Sequence, residues 1–199
     1  MKHLLSLEAL SGTEMRDILN RVPAFKNHRG QHDRPLAGQT WALIFSKSST
    51  RTRVSFEVGL RELGAEVLFL NAGDIQLGRG EPIKDTARVL GRMVHGAVIR
   101  TYAQRDVMDF AHLSGIPTIN ALTDDEHPCQ ILADLLTIRE KLGTWENRKV
   151  AFVGVPCQIT PIRKGESRDT AFLDNGRKKP KHVERQLDSL KSPFSRIAL

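Results

Sequence analysis

The residues best suited to chemistry form a short run of hydroxyl and guanidinium side chains, Ser49-Thr50-Arg51-Thr52-Arg53. The run follows an apolar segment and precedes an amphipathic one, so it would lie where a strand passes through a loop into a helix. The free N–H groups at the start of such a helix point at an anion. Hydroxyl groups add hydrogen-bond donors, and arginine adds a forked, permanently charged donor suited to phosphate. The run therefore predicts an anion site, although a capped helix with two solvated arginines would have the same local sequence.

Two further polar positions stand at the ends of predicted strands. Arg100 closes an apolar segment, and His127 and Gln130 lie where a loop passes into a helix. A histidine before a proline is by itself more often a turn or cap residue than a functional one. Ligands of open parallel sheets, however, bind outside the carboxyl ends of the strands, where loops of this kind meet. We therefore expect Arg100, His127 and the anion loop to share one site.

The elements that must position these side chains alternate along the first 150 residues. A capping box of Ser11 and Glu14 predicts the start of the first helix. Helical periodicity continues at 51–63, 83–93, 106–115 and 128–143, and strand character is found at 40–45, 65–70, 96–101, 116–122 and 148–154. This alternation predicts the α/β class, with a parallel sheet and helices on both faces.

The composition and the distribution of charge bear on whether the chain binds nucleic acid. The chain has 199 residues, 40% hydrophobic and 27% charged, and a net charge of +7. Residues 155–199 hold ten basic and five acidic side chains, so most of the excess charge belongs to this stretch. Binding of nucleic acid through the short basic run at 177–182 is a weak alternative, since most such runs are solvated.

The start of the chain and its cysteines indicate the compartment. The first residues lack the apolar core of a secretory signal, and no window has the apolar length of a membrane span. Cys129 and Cys157 show no metal-ligand spacing and suit a reducing environment. We therefore expect a cytoplasmic protein with no membrane partner and no bound metal.

Taken together, these motifs resemble the aspartate/ornithine carbamoyltransferase family over roughly residues 1–154. The run Ser49 to Arg53 matches the family's phosphate motif, and His127-Pro-Cys-Gln130 matches its second motif. The segments 74–93 and 127–138 are similar to the ornithine branch rather than to the aspartate branch. The resemblance implies the carbamoyl-phosphate-binding domain of that fold.

The resemblance also implies roles for the residues of the phosphate motif. Ser49, Thr50, Arg51 and Thr52 would bind the phosphate of carbamoyl phosphate, and Thr52 would also lie near its carbonyl oxygen. Arg53 would support the loop rather than touch the ligand. By the same resemblance, no cofactor would be needed.

Further roles follow from the resemblance for residues outside that motif. Arg100 and His127 would hold the carbonyl oxygen, and with Thr52 would act on the reacting group. Gln130 would hold the carbamoyl amide. Gln76 would reach into a neighbouring subunit's site, because family members are trimers or multiples of trimers.

Carbamoyl transfer explains why such residues are suitable. An amine attacks a carbonyl carbon and phosphate leaves, so negative charge grows on the carbonyl oxygen, where fixed donors stabilise the transition state. The reaction needs neither a metal nor a covalent nucleophile, and we expect Cys129 to be no nucleophile. Other polar residues have structural interpretations: His95 and His112 as structural histidines, and Asp85, Arg88 and Arg92 as a solvated or ion-paired helix face.

The resemblance ends after residue 154, where the family continues into a second domain that binds the amino-acid substrate. No residue here matches that domain's motifs, so no ornithine-binding residue is predicted. We expect a carbamoyl-phosphate-binding domain at 1–148, the first strand of a lost ornithine-binding domain at 149–154, and an unrelated, poorly ordered basic tail at 155–199. A frameshift, or less readily a fusion, would produce such a change.

The expected function is that of an ornithine carbamoyltransferase in arginine metabolism, forming citrulline and phosphate. We expect this chain to be truncated. Because catalysis needs both reactants in attack geometry, we also expect it to be inactive alone. Two alternatives remain: a carbamoyl-phosphate-binding domain without catalysis, and transfer to putrescine or another amine.

Overall fold

The computed structural model describes residues 3–31, 33–71, 73 and 80–143. Gln76 and the segments predicted at 149–154 and 155–199 lie outside the described residues. Within the described part, the elements follow the predicted alternation. They are α1 (Gly12–Asn27), β1 (Thr40–Phe45), α2 (Thr50–Glu62), β2 (Glu66–Asn71), α3 (Ile83–Met93), β3 (Gly96–Arg100), α4 (Gln104–Ser114), β4 (Thr118–Leu122) and α5 (Pro128–Leu142).

The four described strands form one parallel sheet in the order β2-β1-β3-β4. β1 and β3 are central, and both consist almost entirely of buried apolar residues, as a strand covered on both faces requires. The predicted α/β class with a parallel sheet is therefore confirmed.

Alternate residues of β1 pack on opposite faces of the sheet. Ala42 and Ile44 belong to a core cluster with residues of α3 and α4, including Phe110, which is fully buried. Leu43 belongs to a second cluster with Leu60 of α2. Helices therefore cover both faces, as predicted.

A third apolar cluster joins the two ends of the described chain. Leu19 of α1 and Ile131 of α5 are each 1% exposed and pack in the same cluster. The predicted capping box starts α1: Ser11 Oγ accepts from the N–H of Glu14 at 3.2 Å, and the N–H of Ser11 donates to the Glu14 carboxylate at 2.8 Å. The cap fixes where α1 begins, and the cluster fixes α1 against α5.

The helices α3 and α4 approach each other closely at one glycine. A Cβ atom on Gly91 would lie 2.1 Å from the carbonyl oxygen of Ser114. Only a residue without a side chain allows that approach. Gly91 therefore determines how closely α3 and α4 pack on this face of the sheet.

Two of the structural interpretations made from the sequence are confirmed. His95 accepts a hydrogen bond at Nδ1 from the N–H of Thr40, 3.0 Å away, and so fixes the start of β1. Asp85 and Arg88 form an exposed ion pair at 3.5 Å on α3. Across the described ranges, no helix is long and apolar enough to cross a membrane.

Candidate functional site

Three neighbouring strands end at the same level of the sheet. In the strand register Phe45 of β1 lies beside Arg100 of β3, and Arg100 lies beside Leu122 of β4. Backbone hydrogen bonds continue past these ends, from Ser46 N–H to the Arg100 carbonyl (2.8 Å) and from Thr101 N–H to the Leu122 carbonyl (3.0 Å). The loops after β1, β3 and β4 therefore leave the sheet side by side.

The first of these loops enters α2 through a serine cap. Ser49 is the N-cap, and its Oγ accepts from the N–H of Thr52 at 3.3 Å while donating to Thr52 Oγ1 at 2.9 Å. An α-helix leaves its first N–H groups without intrahelical acceptors, and this cap serves only one of them. Since α2 has no acidic residue in its first turn, its start is suited to an anion.

Arg100 reaches from the end of β3 to the first turn of α2. Its Nη1 donates to Thr52 Oγ1 at 3.4 Å. The Thr52 hydroxyl therefore lies between the Ser49 hydroxyl and the Arg100 guanidinium. The structure thus brings together two residues that the sequence assigned to separate loops.

His127 occupies the N-cap position of α5, in the loop after β4, which neighbours the strand that Arg100 ends. Burial, and secondly the positive charge of Arg100, lowers the pKa of His127 from 6.5 to about 4. Its imidazole is therefore neutral near pH 7, with one N–H donor and one acceptor nitrogen. Nδ1 is buried and has no hydrogen-bond partner among the described residues.

Gln130 lies in the first turn of the same helix and is oriented by Asp134. Gln130 Nε2 donates to Asp134 Oδ1 at 2.9 Å. Burial raises the pKa of Asp134, and the hydrogen bond from Gln130 opposes that rise. The bond uses the amide nitrogen of Gln130, which leaves the side-chain oxygen as the group that can accept from an amide N–H.

The remaining residues of the hydroxyl-arginine run belong to the first turn of α2. Thr50 and Arg51 are exposed in the first turn of α2. The Arg53 guanidinium lies 3.6 Å from the centre of the Phe69 ring and 3.5 Å from the Glu57 carboxylate. Arg53 thus contacts residues of α2 and β2, as a residue that supports the loop would do.

A pocket of about 510 Å³ lies next to this run. Its polar lining includes Lys47, Ser49, Thr50 and Arg53 together with the carboxylate of Glu57, and its apolar lining includes Phe69. The pocket places cationic and hydroxyl groups of the loop on one open surface. It reaches from the start of α2 to Phe69 and Asn71 of β2.

Lys47 is a further residue at the candidate site, and the sequence analysis did not predict it. Its ammonium donates to Asp124 Oδ1 in the loop after β4 and lies 4.4 Å from the centre of the Tyr102 ring in the loop after β3. The only local signal was its position two residues before Ser49. Its partners, far away in the sequence, gave no local pattern that could have found it.

A buried polar network supports the turn before His127, and sequence reasoning missed this as well. Thr123 Oγ1 donates to Gln104 Oε1 at 2.8 Å and accepts from the N–H of Glu126 at 3.0 Å. Asn120 Nδ2 donates to the same Gln104 oxygen at 3.0 Å. Gln104 of α4 therefore holds the end of β4 and the turn that leads to His127.

Cys129 lies inside the second motif, but its environment is that of an unreactive thiol. Its Sγ donates to the Asn120 carbonyl at 3.6 Å, and burial raises the pKa of the thiol to about 12. A protonated thiol is a poor nucleophile, in agreement with the prediction. In the part of the chain that the structure describes, no three acidic, histidine or cysteine side chains are grouped to hold a metal ion.

Comparison with known proteins finds a family match over most of this domain. Residues 2–140 match the model of the aspartate/ornithine carbamoyltransferase, carbamoyl-P binding domain. The ornithine carbamoyltransferase of Akkermansia muciniphila is 69% identical over 157 residues, covering 77% of this chain and 52% of that protein. The enzyme of the same name from Methanocorpusculum labreanum is 52% identical over 155 residues, covering 77% and 51%.

Solved structures give the same result. The ornithine carbamoyltransferase from Gloeobacter violaceus superposes with a TM-score of 0.68 at 47% identity, covering 77% of this chain and 50% of that one. The one from Burkholderia thailandensis has a TM-score of 0.75 at 37% identity, covering 87% and 66%. The chain spans about half the length of the curated relatives it matches.

Proposed function

The chain belongs to the aspartate/ornithine carbamoyltransferase family, and from that premise we propose that it binds carbamoyl phosphate at the loops after β1, β3 and β4. The observation that carries the proposal is the hydrogen bond between Arg100 and Thr52, with His127 at the start of α5, after the strand that neighbours β3. It joins a helix start suited to phosphate to two donors suited to a carbonyl oxygen. Carbamoyl phosphate has both groups, a carbonyl and a phosphoryl group joined through one bridging oxygen.

The phosphoryl group would bind at the first turn of α2. There the hydroxyls of Ser49, Thr50 and Thr52 and the Arg51 guanidinium accompany the helix N–H groups. Helix N–H groups and arginine are the two donor types that proteins use for phosphate. The same contacts stabilise phosphate as it leaves, because negative charge on the leaving group increases during transfer.

The carbonyl oxygen would accept hydrogen bonds from Arg100 and His127. Negative charge grows on that oxygen when an amine attacks the carbonyl carbon, so these bonds are stronger in the transition state than in the bound substrate. The low pKa of His127 keeps the ring neutral, so it would act as an N–H donor and not as an acid. The Gln130 oxygen would accept from the carbamoyl NH₂ group.

For the whole reaction we propose transfer of the carbamoyl group to the side-chain amine of ornithine, giving citrulline and phosphate. The support is the name shared by the relatives at up to 69% identity, ornithine carbamoyltransferase. A homotrimer in which Gln76 completes a neighbour's site, and a cytoplasmic location, belong to the same proposal. The second candidate is binding without turnover by these 199 residues, because they span about half the length of those relatives.

Titration calorimetry of the purified chain with carbamoyl phosphate tests the binding proposal. We expect saturable binding to the wild type and a large loss of affinity in Arg100→Gln. The matched control is Arg105→Gln, because the Arg105 side chain is 88% exposed on α4 and pairs only with Asp109 among the described ion pairs. Binding that is equal in the two variants would contradict the proposal. An assay for citrulline with ornithine then separates transfer from binding alone.

A further inference from the structure

A single ammonium group connects the three loops of the candidate site. Lys47, in the loop after β1, donates from Nζ to Asp124 in the loop after β4. The same Nζ lies 4.4 Å from the centre of the Tyr102 ring in the loop after β3. The N–H of Asp124 in turn donates to the Tyr102 carbonyl at 2.8 Å. Lys47 therefore links the loop after β1 to the loops after β3 and β4, and the bond between Asp124 and Tyr102 links those two loops to each other.

The burial of Lys47 distinguishes this ion pair from the others in the described residues. Its side chain is 18% exposed, whereas the basic partners of the other described pairs are between 46% and 88% exposed. An ammonium that is largely withdrawn from water interacts more strongly with a carboxylate and with an aromatic face. The Asp124 side chain is 66% exposed, so solvent screens the pair from that side, while the ammonium itself is held between the carboxylate and the Tyr102 ring.

The position of the link relates it to the site. Lys47 precedes Ser49 by two residues, and Asp124 precedes His127 by three. A change in the distance between these two loops would move the hydroxyls of α2 relative to the imidazole. Ligand binding that requires both groups is sensitive to shifts of that kind.

We propose that Lys47 is a positioning residue which, through Asp124 and Tyr102, fixes the Ser49–Thr52 turn relative to His127. The ligand named in its test rests on the proposed function. The alternative is that Lys47 binds the anion directly, since it also lines the pocket beside Ser49. The two roles differ in what Asp124 does: it supports ligand binding in the first and competes with the ligand for Lys47 in the second.

A double-mutant cycle on carbamoyl phosphate affinity separates these roles. If Lys47 acts through Asp124, Lys47→Met and Asp124→Asn each lower affinity about tenfold, and the double variant loses no more than either single variant. Retained or increased affinity in Asp124→Asn, with a loss in Lys47→Met, overturns the proposal. The control pair is Lys26→Met with Glu140→Gln, an exposed ion pair at 2.9 Å between the last turns of α1 and α5, which should leave affinity unchanged.

A measurement without ligand keeps the inference testable if the wild type does not bind carbamoyl phosphate and the proposed function fails. In NMR spectra of the ligand-free chain, Lys47→Met should shift the ring resonances of His127. Asp124→Asn should likewise shift the amide of Thr52. Each readout lies on the loop opposite to the substitution, so it reports the link and not the local change. Unchanged resonances in folded variants overturn the proposal, and Lys47→Arg, which keeps the charge, should restore most of the wild-type spectrum.

Discussion

Arg100 and Thr52 are joined by a hydrogen bond from Nη1 to Oγ1, 3.4 Å long, across 48 positions of sequence. Thr52 belongs to the first turn of α2 and Arg100 ends β3. The bond is possible because β1 and β3 are neighbours whose last residues lie side by side in the register. It places the groups proposed for phosphate within reach of the groups proposed for the carbonyl oxygen.

Replacing Thr52 with valine should weaken carbamoyl phosphate binding without unfolding α2. The change keeps the shape of the side chain and removes the hydroxyl that meets Ser49 and Arg100. A hydrogen bond to a charged group contributes about 1.5–3 kcal/mol, so the dissociation constant should rise at least about tenfold. Calorimetry measures the change.

The control for that experiment is Ser55→Ala in the same helix. The Ser55 hydroxyl is exposed and donates to the Thr52 carbonyl at 3.0 Å, outside the group of proposed ligands. It should bind carbamoyl phosphate like the wild type. Equal affinities for Thr52→Val and the wild type would show that this hydroxyl is not a ligand.

Acidification should destabilise the protein through His127. Its pKa in the folded protein is about 4, against 6.5 without the burial and the positive neighbour. Between those two values the unfolded chain takes up a proton that the folded protein excludes. The free energy of unfolding should therefore fall as the pH is lowered from about 6.5 towards about 4, and His127 should contribute no pH dependence well above 6.5.

Urea unfolding at about pH 7 and about pH 5 measures this effect. In His127→Gln the loss on acidification should be smaller than in the wild type. Burial and the N-terminal charge also lower the pKa of His3, so His3→Gln is the matched control. It should keep the part of the acid-induced loss of unfolding free energy that is due to His127. A full wild-type loss in His127→Gln would contradict the assignment.

Thr123→Val should lower the free energy of unfolding and also weaken carbamoyl phosphate binding. Thr123 is fully buried, and its hydroxyl bonds to Gln104 and to the backbone of the turn before His127. Leaving such partners without a hydrogen bond costs about 1–3 kcal/mol in the free energy of unfolding. Carbamoyl phosphate affinity should fall with it, because the turn carries His127.

The matched variant is Thr137→Val in α5. Its hydroxyl donates to the Ala133 carbonyl at 2.9 Å within the helix, and the bond is exposed. Its effect on unfolding should stay within about 0.5 kcal/mol, with affinity unchanged. Similar losses in the two variants would show that the network around Thr123 has no special role.

Gly91→Ala should be strongly destabilising, because its Cβ would lie 2.1 Å from the Ser114 carbonyl oxygen and push α3 away from α4. Overpacking of this kind costs about 1–3 kcal/mol. Gly59→Ala in α2 is the control, since a Cβ there meets nothing within 4 Å. It should stabilise by about 0.5–1 kcal/mol, by the higher helix propensity of alanine. Equal midpoints in thermal or urea unfolding would refute the close contact at Gly91.

The secondary-structure elements followed from local patterns, whereas the side-chain connections between loops did not. Apolar periodicity and the Ser11–Glu14 spacing predicted α1 and the alternation of strands and helices, because those signals lie within a few residues. The rule that ligands bind at the carboxyl edge of parallel sheets predicted that Arg100 and His127 would lie at the same edge. The contact of Lys47 with Asp124 depends on strand order and register, which join positions 77 apart and leave no local trace.

The burial of Cys129 offers a way to observe the site without any ligand. A half-buried thiol with a pKa near 12, bonded to the Asn120 carbonyl, should react faster with an alkylating reagent whenever the start of α5 opens. With Cys157 replaced by serine, the rate of labelling would report the frequency of that opening. His127 lies two residues away, so the same rate would follow the local unfolding of the segment that presents the imidazole.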